Sequence, residues 1–251
     1  MLDPEQIRAN YAAVASRVRA ACERAGRGAG EVTIVAVSKT FPAEAATAAI
    51  AAGARDLGEN RVQEARDKKP VVVIPSREDG EESGRGSVFH HPDSSPSSRL
   101  GMTVRWHLIG HLQSNKARDA VRIFDVIQTI DSVALAAKVG KAAQSAGKCQ
   151  EVLLEVNIGR EPQKAGADPA DVESLAREVA KIDALAVTGL MTIPPVGDEG
   201  TARAYFRELR ALRDATGLKH LSMGMTDDFE VAVEEGATIV RVGRAIFGSR
   251  G

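Results

Sequence analysis

Val32-Thr33-Ile34-Val35-Ala36-Val37-Ser38-Lys39 is an apolar, β-branched run that stops on a lysine, and Thr40-Phe41-Pro42 turns the chain immediately afterwards. A short apolar run closed by a turn signal reads as a strand buried on both faces, the kind a parallel sheet needs. Lys39 then sits at a strand end, with its amine lifted into whatever lies above the sheet. An amine in a partly desolvated site loses basicity and becomes a nucleophile, typically toward a carbonyl compound. The competing reading is a lysine that snorkels from the strand end to water. The run alone leaves both open.

Working outward, the same punctuation recurs. A helix over 4–25 comes first, capped by Asp3 with Pro4 in its first turn and broken by Gly26 and Gly28. Strands are predicted at 32–38, 55–58, 104–109, 126–129, 151–158, 185–192, 220–223 and 238–242. Helices separate them at 42–52, 60–68, 114–121, 132–146, 168–181, 199–216 and 227–235. Strands alternating with helices imply a parallel sheet, and this many units in 251 residues predict an α/β fold closed as a (β/α)8 TIM barrel. A doubly wound open sheet is the alternative, weakened because Ser38-Lys39-Thr40 stands where a glycine fingerprint would follow the first strand. The reading is a single domain over 1–251. It is interrupted at 70–99 by a Ser-, Gly-, Pro- and charge-rich insertion that reads as a disordered surface connection. The paired His90 and His91 in that insertion read as solvent-exposed.

Composition narrows the classes. A net charge of -1 gives no basic footprint for nucleic acid, and 4% aromatic residues leave few stacking platforms for single strands. Two cysteines, Cys22 and Cys149, make no disulfide framework. No apolar stretch approaches the roughly 20 residues of a membrane span, and the amino terminus reads as a helix start rather than a signal peptide. The expectation is a soluble cytoplasmic protein with no membrane or nucleic-acid partner.

In a parallel barrel the chemistry gathers at the carboxyl ends of the strands. Those ends carry Lys39, then Gly58-Glu59-Asn60, then His111 with Gln113 to Lys116, then Asp131 and Asn157. Met191-Thr192-Ile193-Pro194 follows the sixth strand, Ser222-Met223-Gly224-Met225-Thr226-Asp227-Asp228 the seventh, and Arg241-Val242-Gly243-Arg244 the eighth. Loops after strands seven and eight are a common phosphate site in such barrels. Ser222, Gly224 and Thr226 offer hydroxyls and amides there, and Gly243 with the amide of Arg244 offers the other half. The bland alternative is a capped helix start at Thr226-Asp227-Asp228. An amine on one side of the mouth and a phosphate cradle on the other is what pyridoxal 5′-phosphate (PLP) requires. His107 and His111 lie on a strand and its turn, share no helical face and have no ligand-spaced partner, so no metal site is predicted.

Six stretches carry a resemblance. They are Val35-Ala36-Val37-Ser38-Lys39-Thr40, Gly58-Glu59-Asn60-Arg61-Val62-Gln63-Glu64, the run from Trp106 to Lys116, Gly189-Leu190-Met191-Thr192-Ile193-Pro194, the run from Leu221 to Phe229, and the run from Val240 to Gly248. In this order the chain resembles the pyridoxal phosphate homeostasis proteins, which share the barrel of the alanine racemase N-terminal domain, PLP fold type III. The resemblance implies that Lys39 forms a Schiff base with PLP and that Asn60 lines the cofactor. It also implies that Ser222, Gly224, Gly243 and the amide of Arg244 hold the phosphate. Arg241 falls on the arginine facing the pyridine nitrogen, where a cation disfavours protonation and weakens the ring as an electron sink.

Two features depart from the family pattern: Arg244 replaces a usual threonine, and the 70–99 insertion is longer than the usual connection. The resulting expectation is a monomeric, non-enzymatic carrier that holds PLP and delivers it to apo-PLP enzymes. A PLP-dependent amino-acid racemase is the alternative. It is disfavoured because the sequence reaches Gly251 just after the last strand, with no second domain expected, and because Tyr11 and Tyr205 lie on predicted helices. A Lys39 aldolase acting on a phosphorylated sugar is a third reading, and it would need a general acid near the lysine.

Overall fold

A computed structural model describes residues 3–72 and 104–249. Its strands are β1 (Thr33–Val37), β2 (Asp56–Glu59), β3 (Arg105–Leu108), β4 (Val126–Ile130), β5 (Gln150–Glu155), β6 (Leu185–Met191), β7 (His220–Ser222) and β8 (Ile239–Val242). Each pairs in parallel with its sequence neighbour, and β8 returns to β1, with Val35 level with Arg241. The sheet is closed, so the open doubly wound alternative is overturned.

The period-two pleat explains why the strands read as continuous apolar runs. Val35 and Val37 join Val126, Leu153, Met191 and Ile239 in a small cluster inside the barrel. Ala36, Leu57, Leu108, Ile127, Leu190 and Val240 belong to the larger cluster between strands and helices. That outer layer is built from α1 (Pro4–Arg24), α2 (Ala43–Ala51), α3 (Val62–Lys68), α4 (Ala117–Ile123), α5 (Val133–Ser145), α6 (Val172–Val179), α7 (Glu199–Thr216), α8 (Phe229–Glu234) and α9 (Arg244–Phe247). Side-chain caps start several of them: Asp3 accepts from the Glu5 amide at 3.1 Å, and Asp198 from the Thr201 amide at 2.8 Å.

Several boundaries differ from the sequence reading, two of them near the strand ends that matter most, and one helix is new. β5 ends at Glu155, not at residue 158. Asn157 leaves the ladder to close a turn, donating from its side chain to the Glu161 carbonyl at 2.8 Å and accepting from the Glu161 amide at 3.1 Å. α8 starts at Phe229 because the Asp228 carboxylate accepts the Met225 amide at 2.6 Å and holds 225–228 as a turn. The short α9 was not predicted; it docks on α1 through the Asn10 side chain, which donates to the Ile246 carbonyl at 3.0 Å. The insertion reading at 70–99, with His90 and His91, lies from residue 73 onward outside the described residues. Among the described residues no helix is long and apolar enough to cross a membrane.

Candidate functional site

The strand ends open into a cavity of about 710 Å³ at the carboxyl-terminal mouth of the barrel. Lys39, Asn60, Arg241, Gly243 and Arg244 all line it, as do Glu155, Thr226 and Asp227. The β2 and β3 ends approach so closely that a Cβ on Gly110 would stand 2.3 Å from the Asn60 carbonyl oxygen, and the missing side chain lets Asn60 keep its place on the wall. Gly243 is also on the wall, where a Cβ would reach 3.4 Å from the Val37 carbonyl oxygen between β8 and β1.

Arg241 is 3% exposed, yet it carries the site's most elaborate support. Its guanidinium donates to the Thr192 carbonyl at 2.8 Å and to the Ser222 hydroxyl at 2.7 Å. The Ser222 hydroxyl donates to the Gln128 carbonyl oxygen at 2.6 Å, and the Gln128 amide donates to His107 Nδ1 at 2.9 Å. His107 Nε2 then faces Asp56 Oδ1 at 2.8 Å. The donors run one way, from Arg241 to the Asp56 carboxylate: His107 Nδ1 accepts from Gln128, which leaves Nε2 to donate to Asp56. This polar line crosses the barrel interior from β8 to β2. Burial lowers the Arg241 pKa to about 10, opposed by Asp228 and Glu155, so the side chain stays cationic at neutral pH.

Two of the residues expected at the phosphate, Ser222 and Gly224, are buried. The Ser222 hydroxyl is fully buried and spent on Gln128 and Arg241, so it supports the arginine and does not face the cavity. Gly224 is buried too, and its carbonyl accepts the Arg241 amide at 3.0 Å, a bond that does not involve the Gly224 amide expected at the phosphate. Its φ of +89° and the 2.5 Å that would separate a Cβ from the Ala232 Cβ explain why glycine stands there. Thr226, also among the expected residues, lies on the cavity wall, and its hydroxyl accepts the Ala245 amide at 3.4 Å, which joins the loop after β7 to the start of α9. The Arg244 guanidinium pairs with the Asp227 carboxylate across the same gap, both groups exposed.

Glu155 is missed in the sequence because the predicted strand runs past it to residue 158 and puts Asn157 at its end. The signal was nonetheless present: a charged residue ending a buried run, the same signature as Lys39. Glu155 is 9% exposed, and its Oε2 is buried without a hydrogen-bond partner among the described residues. Burial pushes its pKa up to about 7, with Asp131 adding to the rise and Arg241 opposing it. The mouth therefore holds a carboxyl that changes charge near neutrality beside a fixed arginine cation.

The barrel is of the alanine racemase N-terminal domain class: the family model of that description matches residues 3–251. The pyridoxal phosphate homeostasis protein of Aquifex aeolicus is 37% identical over 244 residues, spanning 94% of this chain and 95% of its own. A solved structure of an unknown protein from Bifidobacterium adolescentis is 38% identical, with a TM-score of 0.84 and 98% of each chain covered. PipY of Synechococcus elongatus, solved with PLP bound, is 34% identical over 94% of this chain and all of its own, with a TM-score of 0.72. The chain belongs to the family of pyridoxal phosphate homeostasis proteins.

Proposed function

We propose that this chain holds PLP reversibly on Lys39 and serves intracellular PLP homeostasis and delivery. The observation that carries the reading is the convergence on one cavity of a lysine from the end of β1, an arginine from β8 and the threonine hydroxyl of the β7 loop. The residues present fit the cofactor. The cavity has the volume of a small-molecule site, and its phosphate end offers Thr226 beside Arg244. When bound, PLP supplies an aldehyde with which a lysine amine condenses reversibly. Lys39 provides that amine. Arg241 stays charged beneath the cavity, held by Ser222 and the Thr192 carbonyl, and disfavours a second positive charge near it. Asn60 and Gly243 shape the wall.

In this reading the protein is a cytoplasmic monomer, a single barrel whose partners are PLP and apo-PLP enzymes. It is a holder of the cofactor rather than an enzyme that uses it. The relatives' name and the PLP-bound PipY structure support the choice. One observation favours the alternative of a PLP-dependent amino-acid racemase: Glu155 is a proton-exchanging carboxyl at the mouth. Titrating the protein with PLP, reducing with borohydride and mapping the modified peptide separates the readings. The expected result is one label, on Lys39, absent from Lys39→Ala, with transfer of PLP to an apo-enzyme and no amino-acid racemisation. A protein that stays colourless and unlabelled with PLP overturns the proposal; racemisation at enzymatic rates transfers the case to the alternative.

A further inference from the structure

The Gly58-to-Glu64 motif leaves two carboxylates and a nearby lysine that the cavity does not use. Lys68, at the end of α3, is 7% exposed. Its ammonium spends all three protons, on the Ser38 carbonyl at 2.7 Å, Glu59 Oε1 at 2.8 Å and Glu64 Oε1 at 2.9 Å. The Ser38 hydroxyl donates to the same Glu59 oxygen at 2.6 Å. Glu64 Oε1 also accepts the backbone amide of Thr40. These bonds grip the peptide groups on both sides of Lys39.

The turn itself shows what that grip achieves. Phe41 donates its amide to the Ser38 carbonyl at 3.0 Å, which makes Lys39 and Thr40 the central pair of a β-turn. Thr40 has a φ of +69°, the left-handed conformation that a type II turn demands at its third position and that normally calls for glycine. Types I and II differ by a flip of the peptide between the two central residues, here Lys39 and Thr40. The Thr40 N–H belongs to that peptide, so an acceptor on one side of it selects the flip. A β-branched residue does not hold this conformation unaided.

We infer that Glu64 and Lys68 are positioning residues that fix the peptide after Lys39 and thereby aim its amine into the cavity. The inference rests on Lys39 being the PLP anchor. Lys68 orients the Glu64 carboxylate from one turn along α3 and pins the Ser38 carbonyl, while Glu64 holds the Thr40 amide. Neither side chain touches the cofactor site.

The test reads PLP retention and Lys39 labelling in Glu64→Leu, Thr40→Gly and the double variant. Glu64→Leu loses about tenfold in PLP affinity, the scale of a lost charge-assisted hydrogen bond. Thr40→Gly alone stays within about twofold, because glycine adopts the left-handed conformation freely. The double variant recovers most of the loss, a rescue that general destabilisation would not give. Wild-type affinity in Glu64→Leu, or no recovery in the double variant, overturns the inference. Amide exchange at Thr40 in the PLP-free wild type needs no variant: slow exchange supports the clamp and fast exchange overturns it. Absence of borohydride label on wild-type Lys39, with Thr40 still protected, would instead overturn the anchor reading and leave the turn clamp standing.

Discussion

Glu155→Gln replaces a carboxyl that faces the cavity with a neutral group of the same shape, and its effect on stability is strongly pH-dependent. The Glu155 pKa rises from its ordinary value of 4.5 to about 7 in the folded chain, chiefly through burial. A raised acid binds its proton more tightly folded than unfolded. Its stabilising contribution is therefore complete below about 4.5 and is lost as pH rises through about 7. At about 1.4 kcal/mol for each pH unit, the loss by pH 8.5 is about 3 kcal/mol. Glutamine mimics the protonated acid and carries no such dependence. In the PLP-free protein the variant should match the wild type near pH 4.5 and exceed it by about 3 kcal/mol at pH 8.5. For a chain of this length that is about 6–12 °C in melting temperature. The assay is denaturant unfolding of both proteins across pH 4.5–8.5, taking the difference so that other titrating groups cancel. Parallel curves for the two proteins would refute the burial argument. A wild type that loses stability relative to the variant as pH falls would reverse its sign.

Two further outcomes follow from the geometry. Gln128→Leu strips the Ser222 hydroxyl of its acceptor and His107 Nδ1 of its donor inside the barrel. It should cost about 3 kcal/mol by denaturant unfolding, because it orphans polar groups on both sides; a loss below about 0.5 kcal/mol would show that the polar line is not maintained. Gly110→Ala forces a methyl against the Asn60 carbonyl and should cost about 2 kcal/mol in the same assay. It should also weaken PLP binding by displacing Asn60, so unchanged stability and binding would mean that the β2–β3 approach is looser than it stands here.

The barrel was legible because alternation of short β-branched runs with glycine-closed helices is a local pattern, and eight repeats leave few topologies. Lys39 was legible for the same reason: a charge ending a buried run contradicts its surroundings. Glu155 carries that signature too, but Val156, Asn157 and Ile158 continue the run, and nothing in the order of residues shows that Asn157 turns away to bond Glu161. Ser222 and Thr226 both look like phosphate hydroxyls on paper. What separates them is pleat and position: Ser222 lies within β7 with its hydroxyl turned inside the barrel, whereas Thr226 lies beyond the strand on the cavity wall. The line through His107 and Gln128 was not legible at all. It depends on which residues of separate strands share a level inside the barrel, and that is a property of register.

Arg241 and Lys39 are consequently held in different ways. Arg241 is fixed by groups drawn from β2, β3, β4, β7 and the end of β6, so its position changes only if the barrel itself changes. The backbone around Lys39 is held by a turn and by α3, through Lys68, Glu64 and the left-handed Thr40. Local units of this kind open at a smaller free energy than the core strands to which they are attached. A protein that must hold an aldehyde and later give it up needs an anchor that moves and a counter-charge that does not. In the proposed function, release is accordingly governed by the Ser38–Phe41 turn, and substitutions in α3 should change how long PLP stays bound far more than substitutions of equal cost in β4.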